Sequence, residues 1–74
     1  MSQGTLCYNY DNDRYGLIVG GEWKEDGFHC GDCMQVMVEG EWTPTRIEFS
    51  GGDWYLVGTP YCGDLDGIRA RLKY

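Results

Sequence analysis

The residues of this 74-residue chain whose types and spacing could do chemistry are its four cysteines and its single histidine. Cys30 and Cys33 form a Cys-x-x-Cys pair that directly follows His29. Two such thiolates can hold part of a tetrahedral zinc site if further ligands come from elsewhere in the chain. The candidate zinc ligands are Cys7, Cys30, Cys33 and Cys62, with His29 as a further candidate. They include no second closely spaced pair, so thiols without a metal are the favoured interpretation and zinc is the alternative.

The sequence predicts that the protein has no catalytic activity. A Cys-x-x-Cys pair acts in disulfide exchange when it begins a helix, whereas this pair leads into residues 34–38, which have the composition of a strand. The chain contains no phosphate-binding glycine-rich loop and no recognisable pair of carboxylates. Its length also leaves little room for a ligand pocket of about 300 Å³.

Charge and hydropathy limit the expected partners and compartment. Twelve acidic and six basic residues give a net charge of −6. This balance disfavours nucleic-acid binding, which normally depends on neutralising phosphates. The sequence has no apolar run long enough to cross a membrane and no secretory signal over residues 1–10. We therefore expect a cytoplasmic protein with reduced cysteines and no membrane association.

A run of three antiparallel strands over residues 34–58 organises the rest of the chain. The pair Gly51-Gly52 provides the positive φ angles that a two-residue hairpin turn needs. A turn at this position makes Phe49 face Trp54 on the neighbouring strand. Because side chains alternate across a sheet, one face of this hairpin is apolar and directed to the core. That face comprises Ile47, Phe49, Trp54 and Leu56.

A second turn at Glu39-Gly40 gives a weaker signal, because glutamate is a poor first residue for this kind of turn. It would pair Val36 with Thr43. Pro44 lacks an N–H group, so it must lie at an edge, a bulge or a bend of the sheet.

The segment before this run predicts a hairpin followed by a long loop. Residues 5–19 would form the hairpin, in which Tyr8 faces Tyr15. Residues 20–32 have no sustained periodicity and predict a loop, the kind of segment in which binding residues concentrate. The candidate contact residues in this loop are Trp23, Phe28 and His29. The alternative is that the two rings cover the open end of the core.

The segment after residue 58 predicts an irregular connection over residues 59–67 and then a last strand. The alternation of that strand directs its apolar residues inward and its cations outward. We use the term basic face for a second candidate surface, which comprises Arg46, Tyr55, Arg69, Arg71 and Lys73. It could bind nucleic acid, or its cations could simply be solvated and paired with neighbours such as Glu48.

Turn signals at intervals of about eight to twelve residues predict an all-β fold of five or six short antiparallel strands. We expect one domain over residues 1–74, a small barrel or roll that is SH3-like, with an OB-like roll as the alternative. Such barrels usually contact partners through loops or one sheet face. By analogy of fold, we expect an interaction module that binds a protein partner.

Four segments also resemble a known family: NDRYGL at residues 12–17, GFHCGD at 27–32, EWTPTRIE at 41–48 and WYLVG at 54–58. They are similar to a family of unknown function made of short proteins from Gram-positive bacteria and their mobile elements. The resemblance covers about residues 5–73. It implies a bacterial cytoplasmic setting and assigns no catalytic or binding residue.

Overall fold

The computed structural model describes residues 2–73, which form seven strands. In chain order they are β1 (Ser2–Asn9), β2 (Arg14–Val19), β3 (Glu22–Glu25), β4 (Cys33–Val38), β5 (Glu41–Ser50), β6 (Asp53–Leu56) and β7 (Arg69–Leu72). All pairings are antiparallel, and the spatial order is β3-β2-β1-β7-β4-β5-β6. The all-β prediction is confirmed, with seven strands instead of five or six. Residues 2–73 contain no helix with the length and apolar character to span a bilayer.

The sheet curls around one interior without closing into a complete barrel. Its ends are β3 and β6, which are not hydrogen-bonded neighbours. A short connection covers the free side of β6: the Leu56 N–H donates to the Tyr61 carbonyl at 3.1 Å, and the Gly63 N–H donates to the Trp54 carbonyl at 2.8 Å. The edge of β6 is therefore protected by the chain itself.

The predicted turn positions are confirmed by the register of the strands. Tyr8 faces Tyr15 across β1 and β2, and Phe49 faces Trp54 across β5 and β6. The pairing of β4 with β5 also follows the predicted register. At that turn Glu39 has a φ of 50°, a left-handed conformation that side chains other than glycine adopt rarely. The weakness of the sequence signal at this turn reflects that conformation.

Pro44 lies where β5 has a neighbour on one side only. It pairs with Gln35 of β4, and the pairing of β5 with β6 begins at Ile47. The other side of β5 at Pro44 is an edge, as the missing N–H group requires.

The prediction of one long loop over residues 20–32 is wrong, because β3 lies within it. The strand follows a tight turn at Gly20-Gly21, where φ is 60° and 83°. Three of its four residues are exposed, so β3 shows no alternation of apolar and polar side chains. The paired glycines, the same signal that marks the turn between β5 and β6, could have identified it.

β7 lies at the centre of the sheet. It pairs with β1 on one side and with β4 on the other, and so joins the first three strands to the next three. Ala70 and Leu72 are buried, whereas Arg69 and Lys73 are exposed, which confirms the predicted alternation.

The interior receives side chains from every strand except β3. Its buried apolar residues are Leu6, Tyr15, Leu17, Phe28, Met34, Val36, Ile47, Leu56, Leu65, Ala70 and Leu72. Phe28 and Leu65 come from connections between strands and are almost completely buried. Full burial of such a side chain stabilises a fold by about 1.5–3 kcal/mol. Phe28 therefore anchors the connection between β3 and β4, and Leu65 anchors the connection between β6 and β7.

Candidate functional site

The structure separates the three residues predicted to form a contact loop. Phe28 is 1% exposed and belongs to the core, so it is inaccessible to a partner. Trp23 is 41% exposed and lies on β3 beside Gly16. His29 is exposed in the connection between β3 and β4. The burial of Phe28 matches the alternative in which this ring covers the core, and Trp23 and His29 belong to different elements.

Two cations of the basic face contact the ring of Trp42, a residue that the sequence pattern does not assign to this face. The guanidinium carbons of Arg69 and Arg71 lie 5.6 Å and 4.3 Å from the centre of the Trp42 ring. The Nε of Arg71 also donates to the Gln35 side-chain oxygen at 2.6 Å. Arg71 is thus held in place, while Lys73 is exposed.

Arg46 and Tyr55 lie at the other side of this surface. The Nε of Arg46 is 2.9 Å from a Glu48 carboxylate oxygen, in a pair whose side chains are 54% and 27% exposed. Exposed pairs of this kind contribute little to stability. Tyr55 is half-buried and forms a β-bridge with Cys62. The pairing of Arg46 with Glu48 matches the alternative in which these cations are paired with neighbours.

The four cysteines are free and lie in different parts of the fold. Cys7 is half-buried in β1, and Cys30, Cys33 and Cys62 are exposed. Across residues 2–73, no three His, Cys, Asp or Glu side chains are grouped so that they could hold a metal ion. The structure does not bring the candidate zinc ligands together.

An open groove of about 540 Å³ lies between the tips of two hairpins. One wall comes from the β1–β2 hairpin and the other from the β5–β6 hairpin. We term it the aromatic groove, and its principal lining residues are Tyr8, Asp13, Arg14, Phe49, Asp53 and Trp54. Ligand sites begin at about 300 Å³, so the expectation that the chain has little room for a pocket is wrong.

Rings line both walls of the aromatic groove. Phe49 and Trp54 pack edge to face with their centres 4.9 Å apart. On the opposite wall the Tyr8 ring packs edge to face with Tyr15 at 5.1 Å and with Tyr10 at 4.9 Å. Phe49 is 49% exposed, and Tyr8 and Trp54 are partly exposed. The groove therefore presents a row of partly exposed rings, a composition typical of binding sites.

The groove rings lie on the interior side of the sheet. Strand alternation places Tyr8 and Tyr15 on the face of Leu6 and Leu17. Strand alternation also predicts that Phe49 belongs to the core. In the structure Phe49 is exposed instead, because the core face continues into the groove.

Arg14 connects the two walls. Its guanidinium carbon lies 6.0 Å from the centre of the Trp54 ring, and its Nη1 donates to the Phe28 carbonyl at 3.2 Å. The cation is thus held by a ring from one hairpin and by a backbone oxygen next to the core. Arg14 therefore contacts both walls of the groove.

Tyr15 fastens the connection that lies beneath the groove. Its hydroxyl donates to the Gly63 carbonyl at 3.2 Å and accepts from the Leu65 N–H at 3.1 Å. Burial raises the pKa of Tyr15 above its ordinary value, the Leu65 N–H acts in the opposite direction, and the charges of Asp66 and Asp64 raise it further. At neutral pH the Tyr15 hydroxyl is protonated and able to donate.

Tyr8 is a second protonated hydroxyl in the groove. Loss of hydration raises its pKa, and the hydrogen bond that it donates to Asp13 at 3.1 Å raises the pKa further. The N–H of Tyr8 donates to the Asp66 carboxylate at 2.7 Å. The groove thus combines ring surfaces with carboxylates and hydroxyls, which equips it to bind a ligand through apolar contact, hydrogen bonds and charge.

A solved structure resembles this chain in fold and sequence, and a family model matches most of it. A crystal structure of a protein from Ruminococcus gnavus superimposes with a TM-score of 0.79 and is 39% identical, covering 95% of this chain and 99% of that one. Its description names no activity or ligand. No curated protein matches the chain. Residues 4–72 match a family described as a domain of unknown function, DUF5348. Since this match spans most of the 74 residues, the chain belongs to the DUF5348 family.

Proposed function

We propose that this protein is a non-catalytic interaction module that binds a segment of a protein partner in the aromatic groove. The observation that supports the proposal most directly is Phe49, a large apolar side chain that is 49% exposed and faces a groove instead of the core. A single exposed apolar residue is ordinary, whereas rings gathered in a concave surface are typical of a binding site.

The composition of the groove favours a protein partner. Residues that dominate the energy of protein interfaces are enriched in Trp, Tyr and Arg. The lining of the aromatic groove contains all three types, with Trp54, Arg14 and two tyrosines, Tyr8 and Tyr15. The groove is also open to solvent, so a segment of a partner can enter it from the surface.

The finer description of the fold agrees with this proposal. We propose that the curled antiparallel sheet is SH3-like, with an OB-like roll as the alternative. SH3 domains bind extended segments in aromatic-lined grooves, and this comparison is an analogy of fold.

We place the protein in the cytoplasm of a Gram-positive bacterium, with its gene on a mobile element, because the sequence resemblance implies that setting. The partner would then be a protein of the bacterial host.

The test compares two variants that each lose one exposed ring. Tagged wild-type protein, Phe49→Ala and Trp23→Ala would be used to capture proteins from a lysate of the source bacterium. Phe49 lines the aromatic groove, whereas Trp23 lies on β3 outside it. We expect a partner that is captured by the wild type and by Trp23→Ala and lost with Phe49→Ala. Equal capture by all three proteins would contradict the proposal.

The basic face supports nucleic-acid binding as a second candidate function. Arg69 and Arg71 lie around the Trp42 ring, and single-stranded nucleic acids bind surfaces that combine cations with rings. The net charge of −6 opposes such binding, so this candidate ranks second. A labelled oligonucleotide would be titrated at low and high salt. We expect salt-sensitive binding that is lost in the double variant Arg69→Glu with Arg71→Glu, and absence of binding at low salt would remove the candidate.

A further inference from the structure

We infer that the segment bound in the aromatic groove is basic, with arginine or lysine side chains next to an apolar anchor. The inference rests on the proposed function and names the chemistry of the partner. It follows from where the carboxylates of the protein lie and from where its own cations lie.

Carboxylates flank the groove rings on both walls. Asp13 lines the groove from the tip of the β1–β2 hairpin, and Asp53 lines it from the start of β6. Asp66 accepts the Tyr8 N–H, and Asp64 in turn accepts the Asp66 N–H at 3.1 Å, so both lie beside the same wall. A groove with apolar walls concentrates the field of such charges and raises the local concentration of cationic groups.

Neutral groups donate the hydrogen bonds that these carboxylates accept. The ion pair between Arg46 and Glu48 lies on the basic face, away from the groove. The hydrogen bonds that Asp13 and Asp66 accept come from neutral donors, the Tyr8 hydroxyl and the Tyr8 N–H. Their negative charge is therefore available to a partner of opposite charge.

The cations nearest these carboxylates in the sheet have other partners or positions. Arg14 is the groove's own cation, and it is already engaged by the Phe28 carbonyl and the Trp54 ring. The cations of β7 lie on the opposite side of the sheet, because Ala70 and Leu72 take its interior positions. A bound segment that carries a cation would therefore complement Asp13 and Asp53.

The rings determine what accompanies that cation. Phe49 and Trp54 offer apolar surface for an anchoring side chain, and Tyr8 offers a ring next to Asp13. Arginine and lysine suit such a boundary because their aliphatic stems pack on rings while the charged ends reach carboxylates. We therefore expect an apolar residue flanked by cations in the bound segment.

The experiment selects ligands without assuming a sequence. A phage library of random peptides would be panned against the immobilised full chain, and selected peptides would be synthesised and titrated into four proteins. These are the wild type, Phe49→Ala, the double variant Asp13→Asn with Asp53→Asn, and the control double variant Glu22→Gln with Glu41→Gln. Both double variants remove two negative charges, and the control glutamates are exposed residues that do not line the groove. Asparagine tolerates the φ of 57° at residue 13, so the first double variant keeps its turn.

We expect selected peptides to carry net positive charge and to lose binding to Phe49→Ala. Removing the two groove carboxylates should weaken the affinity of the protein for these peptides by about fivefold or more. The control double variant should weaken it by less than about twofold, because charge pairs act at short range. If both double variants weakened peptide binding equally, overall charge would explain the effect and the inference would be overturned. Groove-dependent peptides that are neutral or acidic would overturn the inference and keep the proposed function. A panning that yields no peptide dependent on Phe49 would overturn both.

Discussion

The guanidinium carbon of Arg14, at the start of β2, lies 6.0 Å from the centre of the Trp54 ring in β6. These two residues belong to hairpins near opposite ends of the sheet, and no ladder of hydrogen bonds joins β2 to β6. Their contact, together with the bond from Arg14 to the Phe28 carbonyl, links the two walls of the aromatic groove.

Replacing Arg14 with methionine should therefore destabilise the protein. Methionine keeps the apolar stem of the side chain and removes the guanidinium group, which is both the cation and the hydrogen-bond donor. We expect a loss of about 1–2 kcal/mol in the free energy of unfolding, because the Phe28 carbonyl loses a charged donor. Urea denaturation would measure it. Arg46→Met, which removes an exposed ion pair, is the control and should change stability by less than about 1 kcal/mol. Equal effects of the two substitutions would contradict the role of Arg14.

Replacing Tyr15 with phenylalanine should release the connection between β6 and β7. The substitution removes the hydroxyl that donates to Gly63 and accepts from Leu65. We expect a loss of about 1–3 kcal/mol, because the Leu65 N–H is left without its partner in a buried position. Chemical denaturation would measure the loss, and faster hydrogen exchange at Leu65 would locate it. Tyr10→Phe, at an exposed position, should leave both measurements unchanged.

The stability of the wild type should fall in alkali through Tyr15. Burial raises the pKa of Tyr15, so the folded state binds the phenolic proton more tightly than the unfolded state does. This contribution is complete below the unfolded pKa of about 10 and is lost as the pH rises through the higher folded pKa. Unfolding free energies measured from pH 8 to pH 11 should therefore decline more steeply for the wild type than for Tyr15→Phe. Parallel curves would show that the phenol does not ionise at a raised pKa.

Gly16→Ala should disturb the edge of the sheet. A β-carbon at this position would collide with the Glu25 carbonyl and crowd the Trp23 ring, so β3 would have to move. Crowding of a packed site costs about 1–3 kcal/mol. We expect a lower melting temperature and a changed environment of Trp23, observed by nuclear magnetic resonance of its indole N–H. Thr5→Ala, on the neighbouring strand at an exposed position, should preserve both properties.

The parts of the fold that follow from local chemistry could be predicted from the sequence. Paired glycines and hairpin turns set the pairing of Tyr8 with Tyr15 and of Phe49 with Trp54, because a turn determines the register of the strands beside it. The alternation of apolar and polar residues does not reveal β3, because it is an exposed edge strand, and only the paired glycines before it mark its position. The burial of Leu65 could not be predicted either, because Leu65 is a single buried residue in an irregular connection and belongs to no repeating pattern.

The candidate site depends on contacts that sequence patterns do not reveal. Phe49 and Trp54 satisfy the alternation of a core face, and only the arrangement of the two hairpins shows that this face extends into a groove. Arg14 gives no sequence signal, because its partners, Trp54 and the Phe28 carbonyl, come from other segments. Trp42 joins the basic face through strand pairings that bring β7 next to β4.

The position of β7 has a consequence for protein synthesis. One wall of the groove belongs to β1–β2 and the other to β5–β6, and the strand that holds these halves side by side is the seventh to leave the ribosome. A nascent chain that stops before Arg69 would carry both half-sites without the means to align them. A ligand that touches both walls would therefore bind only chains in which β7 has joined the sheet, and its association would protect the folded form from unfolding.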